Sequence, residues 1–526
     1  MEKTINIIGS GIAGLNAAIT LSEAGFHTNL ISLQPSERAQ SVLAEGGINA
    51  SLNTMGEDDS PLFHFNDTMK GGCFIASSEA VKNLTDNAPK IIEKYVSYGV
   101  PFNMENGHII ERNFGGQKKK RTAFARSSTG KILMTALIDE VRKYEALGLV
   151  NRMPHHELKD LLIENGILYG CLIKDTYNDE LIYLNGPVIL ATGGMNGFFP
   201  EETTGTTQND GNAQAIAFSK GVEFANLEFL QYHPTTIRIT GKRMLITEAA
   251  RGEGGRLYVI KDDKPWYFME EKYPELKNLM PRDVVSREEY FVSTSPDCEH
   301  NIYLDMTVIP KATWKNKLSD LREEIKSYLK KDPAKEPIKI EPGIHFFMGG
   351  INTDNLHRSS IKNLYAAGEC ACIYHGANRL GGNSLLGASY GGIKAAESAI
   401  KYFEELEIPN ELKNNKILAD SKMSTVVKLK DILYNGLTIV RNEDELNDAL
   451  NKAIDLLNNC DNEIDKLRIY LGIAMIKSAL SRKESRGAHY RSDYPESLDE
   501  YKLQSIAKYD DGKINISFRM AGEPYD

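Results

Sequence analysis

Thr4-Ile5-Asn6-Ile7-Ile8-Gly9-Ser10-Gly11-Ile12-Ala13-Gly14 opens the chain with a short strand-like run that passes directly into three spaced glycines. Glycines at this spacing permit a tight turn, let the backbone approach a pyrophosphate, and let the following helix pack on the strand with its N-terminus toward the phosphates. The pattern predicts that helix through Leu21 and a second strand over Thr28-Asn29-Leu30-Ile31. The second strand ends in Ser32-Leu33, where a nicotinamide-binding unit places an acidic residue for the ribose. The unit is Rossmann-like, but its ligand is not the ordinary nicotinamide dinucleotide.

Working outward, three more glycine-rich loops border strand-like sequence. They are Gln40-Ser41-Val42-Leu43-Ala44-Glu45-Gly46-Gly47, the run Val188 to Gly194, and the long stretch Leu364 to Gly392. The last breaks at Gly368-Glu369 and sets His375, Asn378, Arg379, Asn383 and Ser384 among glycines before a small-residue helix. A polar turn from Thr203 closes on Asp210-Gly211. One such loop serves a nicotinamide site, whereas a longer two-ring cofactor such as FAD needs several. Their spread points to one domain interrupted by an insertion.

The predicted fold is α/β: a Rossmann-like FAD-binding domain (1–225 and 343–405) interrupted by an α+β capping domain (226–342). A C-terminal helical bundle (411–495) and a short tail (496–526) follow. Amphipathic periodicity with few glycines or prolines marks the bundle, and Asp511-Gly512 within alternating sequence marks a hairpin in the tail. At 526 residues the chain is too long for one hydrophobic core.

A net charge of -10 argues against nucleic acid, and no apolar run approaches the ~18 residues that cross a bilayer. With strand-like sequence from Thr4, no signal peptide is expected. The six scattered cysteines lack cluster spacing and fit small buried residues in a reducing, cytoplasmic setting. The sequence shows no metal-ligand spacing and no hydrolase nucleophile motif. Lys118-Lys119-Lys120-Arg121 is read as a solvated loop.

Arg251, Arg282 and Arg379 occupy glycine- or proline-flanked turns, and guanidinium groups there suit bidentate grip on an anionic, dicarboxylate-like substrate. His233 and His345, each expected in a turn, can donate to a carboxylate. Glu248 and Arg251 are three residues apart, so on a helical turn they share a face and can pass a proton.

These motifs together resemble the flavoprotein subunits of fumarate reductase and succinate dehydrogenase, with L-aspartate oxidase as a close relative. The resemblance runs through Gly9-x-Gly11-x-x-Gly14, Glu45-Gly46-Gly47, Gln231-Tyr232-His233-Pro234-Thr235, Thr247-Glu248-x-x-Arg251, Pro281-Arg282-Asp283, His345-x-x-Met348, His375-Gly376-Ala377-Asn378-Arg379, Asn383-Ser384-Leu385 and Glu484-Ser485-Arg486. It implies that Arg282 is the proton donor or acceptor with Glu248 and Arg251 as its relay. By the same resemblance His233, Thr247, His345 and Arg379 bind the substrate carboxylates. FAD would be held by Gly9, Ser10, Gly11, Ile12, Ala13, Gly14, Ser32, Gln40, Ser41, Gly46, Gly47, Asp210, Glu369, Ser384 and Leu385. The implied reaction moves a hydride between flavin and a four-carbon dicarboxylate.

Two departures refine the expectation. Membrane-bound members carry a histidine linked to FAD where this chain has Gln40, so FAD is expected to be non-covalent, which favours fumarate reduction over succinate oxidation. Aspartate oxidases place a glutamate where this chain has Phe114, and their loop differs from Arg379-Leu380-Gly381-Gly382-Asn383. A dicarboxylate without an amino group is therefore expected, with L-aspartate oxidation as the alternative. An iron–sulfur electron-transfer subunit is the expected partner, and through it the chain would sit peripherally at the inner membrane face.

Overall fold

The computed structural model describes residues 3–126, 128–404, 406–414 and 418–525. The opening motif forms strand Thr4–Ile8 at the centre of a five-stranded parallel sheet. Its order is Leu364–Ala366, Val188–Leu190, Thr4–Ile8, His27–Ser32 and Val150–Pro154. Ile5, Ile7, Leu30, Ile31, Val188, Ile189 and Leu190 are all buried, because helices or further strands cover both faces of a parallel sheet. Each buried Ile or Leu contributes ~1.5–3 kcal/mol of transfer free energy. The carboxyl ends of three adjacent strands lead into Gly9, Gly193 and Gly368, so three glycine loops meet along one edge.

Helix Ile12–Glu23 follows the first turn, and helix Asn383–Lys401 packs across it. A Cβ on Gly14 would lie 1.9 Å from the Gly9 carbonyl oxygen, and one on Gly392 would lie 2.2 Å from that of Ala13. Bare backbone at these crossings explains the run of small residues in the second helix. Asn16 Nδ2 donates to the Tyr95 hydroxyl (3.0 Å), which donates to Ser389 Oγ (2.5 Å), locking both helices to helix Ser78–Ser97.

A six-stranded antiparallel sheet stands over the cavity edge, in the order Lys242–Leu245, Leu230–Ile239, Ile338–Phe347, Cys298–Asp305, Arg256–Lys261 and Lys264–Trp266. Helix Arg282–Thr294 packs on it. Position 342 lies inside strand Ile338–Phe347, so the chain leaves this sheet as continuous strand. The pairing with Leu230–Ile239 shifts register between His233 and Thr236, where Pro234 has no N–H to give. The architecture is thus an α/β dinucleotide-binding fold with an α+β cap and a C-terminal helical region.

Helices Met423–Gly436, Glu443–Asn458 and Glu463–Ser481 pack on one another. Beyond them, Gln504–Asp510 and Lys513–Arg519 form the expected hairpin, with Asp511 and Gly512 both left-handed at φ 41° and 81°. This hairpin extends a sheet with Phe224–Ala225 and Gly350–Asn352, tying the tail to the body. No helix among the described residues is long and apolar enough to cross a membrane.

One expectation is corrected here. Arg121 closes the basic run but is fully buried, paired with Asp59 at 2.9 Å and Asp67 at 2.8 Å. Two carboxylates on a neighbouring loop and helix compensate the desolvated guanidinium, which charge density alone does not foretell.

Candidate active site

The four glycine loops enclose one cavity of about 510 Å³, within the range of small-molecule and cofactor pockets. Gly9, Ser10, Gly11, Ile12, Ala13, Ser32, Gln40, Ser41, Gly46, Gly47, Asp210, Glu369, Ser384 and Leu385 all line it. Gly14 does not; it serves the helix crossing described above. Helix Ile12–Glu23 carries no acidic residue in its first turn and Gly11 offers no side chain to cap it. Helix Asn383–Lys401 starts the same way from Gly382 at φ 81°. Both helix ends border the cavity and present partial positive charge to it, which fits the phosphates of a dinucleotide.

Several side chains of this set are already engaged. Gln40 Oε1 accepts from the Thr206 N–H at 2.6 Å, and both Asp210 carboxylate oxygens accept from Asn212. Burial raises the Asp210 carboxyl to about 6 and the Glu369 carboxyl to about 7. The Phe347 N–H donates to Glu369 Oε1 at 3.0 Å.

At one end of the cavity the three arginines converge. Glu248 Oε2 accepts from Arg282 Nε at 2.8 Å and Nη2 at 2.6 Å. Glu248 Oε1 accepts from the Gly115 N–H at 2.7 Å and faces Arg251 Nη2 at 3.6 Å. Arg282 and Arg379 both donate to Gln231 Oε1, at 3.1 and 3.0 Å. The Arg379 guanidinium also lies 4.3 Å over the Phe346 ring. Arg282 and Arg379 line the cavity, whereas Arg251 is buried behind Glu248 with Nη1 on the Asn278 carbonyl at 2.6 Å.

The local settings differ from the expected turns. Arg282 is the first residue of a 13-residue helix after Pro281, and Arg251 sits in the short helix Ala249–Gly252. His233 and His345 lie on paired strands with their rings 5.1 Å apart. Strand geometry aims both rings at the cavity because the two strands continue from cap to cavity wall.

Electrostatics here is short of anions. Burial pushes the Glu248 carboxyl up, but Arg282, Arg251 and the Gly115 N–H together hold it below the usual carboxylate range. Burial, then the neighbouring Arg282, pushes the Arg379 guanidinium well below its ordinary value. The same two causes hold both histidines neutral. The Thr235 N–H donates to His233 Nδ1 at 3.2 Å, which leaves Nε2 carrying the proton. That buried Nε2–H has no acceptor among the described residues. Thr247 lines the same end, and Thr204 Oγ1 meets His345 Nδ1 at 2.8 Å.

Sequence reasoning singled out neither Gln231 nor Thr204. Gln231 is uncharged and sits inside a quoted motif; its place two residues before His233, on the same strand face, was the available signal. Thr204 belongs to the polar turn and is joined to His345 by a parallel bridge at Thr203 and Ile344.

A parallel nucleotide-binding sheet, glycine loops around one cavity and a polar cluster under a cap define a flavin-dependent oxidoreductase. The FAD binding domain family matches residues 5–385, and the fumarate reductase flavoprotein C-terminal family matches residues 462–522. The succinate dehydrogenase flavoprotein subunit of Bacillus subtilis is 36% identical over 97% of this chain and 94% of its own. A polypeptide of the CoM/CoB fumarate reductase of Methanothermobacter marburgensis is 32% identical over 95% of this chain and 96% of its own. The FrdA polypeptide of E. coli quinol fumarate reductase superposes with a TM-score of 0.88 at 27% identity, over 100% of this chain and 97% of that one. The chain belongs to the family of succinate dehydrogenase and fumarate reductase flavoprotein subunits. Nothing in these relatives speaks for L-aspartate oxidation.

Proposed function

We propose that this flavoprotein reduces a four-carbon dicarboxylate of the fumarate type, using FAD held without a covalent bond. The observation that carries the reading is the cluster of Arg282, Arg379 and the unpartnered His233 Nε2–H at one end of the cavity. Several cationic or donating groups around one ionised carboxylate match a ligand with two negative charges. FAD, when bound, supplies hydride chemistry.

The residues divide the remaining work. His233, Thr247, His345 and Arg379 bind and orient the carboxylates. Arg282 holds the proton that the substrate carbon receives, and Glu248, ionised between Arg282 and Arg251, restores it by passing a proton from one guanidinium to the other. Phe114 is 2% exposed and lines the cavity, so this position offers no carboxylate of its own to a substrate ammonium. Gln40, an amide, offers no nucleophilic nitrogen for a flavin linkage. The chain's own glycines and helix ends hold the dinucleotide, and electrons arrive from a separate partner of the iron–sulfur type.

The test is anaerobic: the yellow protein is reduced chemically and mixed with fumarate. Rapid flavin reoxidation supports the reading. Failure of fumarate to reoxidise it, with peroxide formed from L-aspartate in air, would overturn it.

A further inference from the structure

Asn49 ends the short strand Ile48–Asn49 that follows the second glycine loop; it is fully buried and does not line the cavity. Its N–H donates to the Gly382 carbonyl at 3.1 Å, and its amide Nδ2 donates to the Gly381 carbonyl at 2.8 Å and to Asn383 Oδ1 at 2.7 Å. Thr122 Oγ1, on the paired strand, donates to Asn49 Oδ1 at 2.6 Å and so fixes which way the amide faces. One residue therefore holds three successive residues of a loop more than three hundred positions away.

That loop is the seat of Arg379. Arg379 Nη1 donates to the Leu380 carbonyl at 3.1 Å, and the Asn383 N–H donates to the same carbonyl at 3.2 Å. The guanidinium thus leans on the turn that Asn49 grips. On the other side Gly381 presses bare backbone against the site, since a Cβ there would lie 2.9 Å from the Phe114 ring and 3.0 Å from Glu248 Oε2. Gly382, at φ 81°, is confined as well: a Cβ on it would lie 2.1 Å from Asn49 Oδ1. The turn is wedged between Asn49 and Glu248. Buried Arg379 keeps its Nε donor without an acceptor among the described residues, a donor that a substrate carboxylate can fill.

We propose that Asn49 is a positioning residue for dicarboxylate binding, setting the Gly381–Asn383 turn so that Arg379 meets a substrate carboxylate without rearranging. The inference rests on the fumarate-reducing reading above. Holding a charged side chain in its binding geometry before the ligand arrives lowers the ordering cost of binding. Without the Asn49 amide, Gln117 Nε2 still donates to the Gly381 carbonyl at 2.8 Å, and Asn383 still meets His64 Nε2 and Thr68 Oγ1, each at 3.0 Å. The start of helix Asn383–Lys401 therefore survives. What is lost is the common anchor of the turn, and Arg379 gains freedom.

The test uses FAD-loaded protein and malonate, a dicarboxylate without a double bond to reduce, whose binding is read from the flavin spectrum. Asn49→Ala should keep its flavin content, raise the malonate dissociation constant and the fumarate KM at least about fivefold, and leave kcat within about threefold. The same change made in Arg379→Lys, where the fork is already lost, should alter malonate binding by less than about twofold. Thr122→Val, which keeps the shape and releases the amide, should weaken malonate binding at least about twofold. A merely structural Asn49 predicts a lower melting temperature with malonate binding unchanged. A rise below about fivefold in folded Asn49→Ala, or the same loss with and without Arg379, overturns the inference. Should Asn49→Ala not fold, a change below about twofold in Thr122→Val overturns it instead. Wild-type protein that neither binds malonate nor turns over fumarate removes the functional reading and this inference with it.

Discussion

Glu248 grips Arg282 through a single oxygen, Oε2, which accepts from both Nε and Nη2, while its other oxygen is pinned by a backbone N–H. The guanidinium is therefore aimed by its partner and cannot turn away from the cavity. Replacing it with lysine keeps the charge but loses the fork. Arg282→Lys should retain FAD, judged by its visible spectrum, and lose about 10²–10⁴ in kcat, the contribution of a positioned acid.

Gln231 accepts from two guanidinium groups that otherwise repel. Gln231→Leu removes that acceptor and leaves Arg282 and Arg379 facing each other without it. Steady-state kinetics should show fumarate kcat/KM reduced by about 10–100-fold. Titrating the oxidised variant with a non-reacting dicarboxylate should show weaker binding by a similar factor.

Attachment of the flavin is checked by acid precipitation. The yellow colour should pass into the supernatant, and Gln40→Ala, which frees the Thr206 N–H, should raise the FAD dissociation constant in a fluorescence titration. Flavin that stays with the protein pellet would contradict non-covalent binding.

Glu369 gives a pH signature. Its carboxyl is raised by burial to about 7 in the folded protein, against ~4.3 for a free glutamate. The folded state holds the proton more tightly, so this contribution to stability is complete below about pH 4.3 and is lost as pH rises through about 7. Melting curves of the flavin-free protein should show a smaller fall over that window for Glu369→Gln than for wild type.

Arg121 tests the fold apart from the chemistry. Arg121→Met leaves Asp59 and Asp67 buried without their cation, a change that costs about 3–5 kcal/mol. Thermal unfolding should shift down by several degrees.

Reading the chain as a string of residues revealed what short-range geometry controls. The strand, the spaced glycines and the helix after them are a local unit, and Gly9 and Gly14 show why: neither site has room for a side chain. The hairpin at Asp511-Gly512 is local in the same way. The charged and turn-forming residues of the site were also visible, because arginine and histidine beside proline and glycine stand out. Gln231 did not stand out, since an amide in a strand looks ordinary until its surroundings are known.

By itself, then, the order of residues determined a dinucleotide-binding chain with an interrupted domain and a surplus of guanidinium groups. Only the tertiary structure decided which of these groups meet. Strands Leu230–Ile239 and Ile338–Phe347 pair across more than a hundred residues and carry Gln231, His233 and His345 to Arg282 and Arg379. The physical reason is that burial and charge compensation are properties of a place, and the place exists only once distant segments have closed around it.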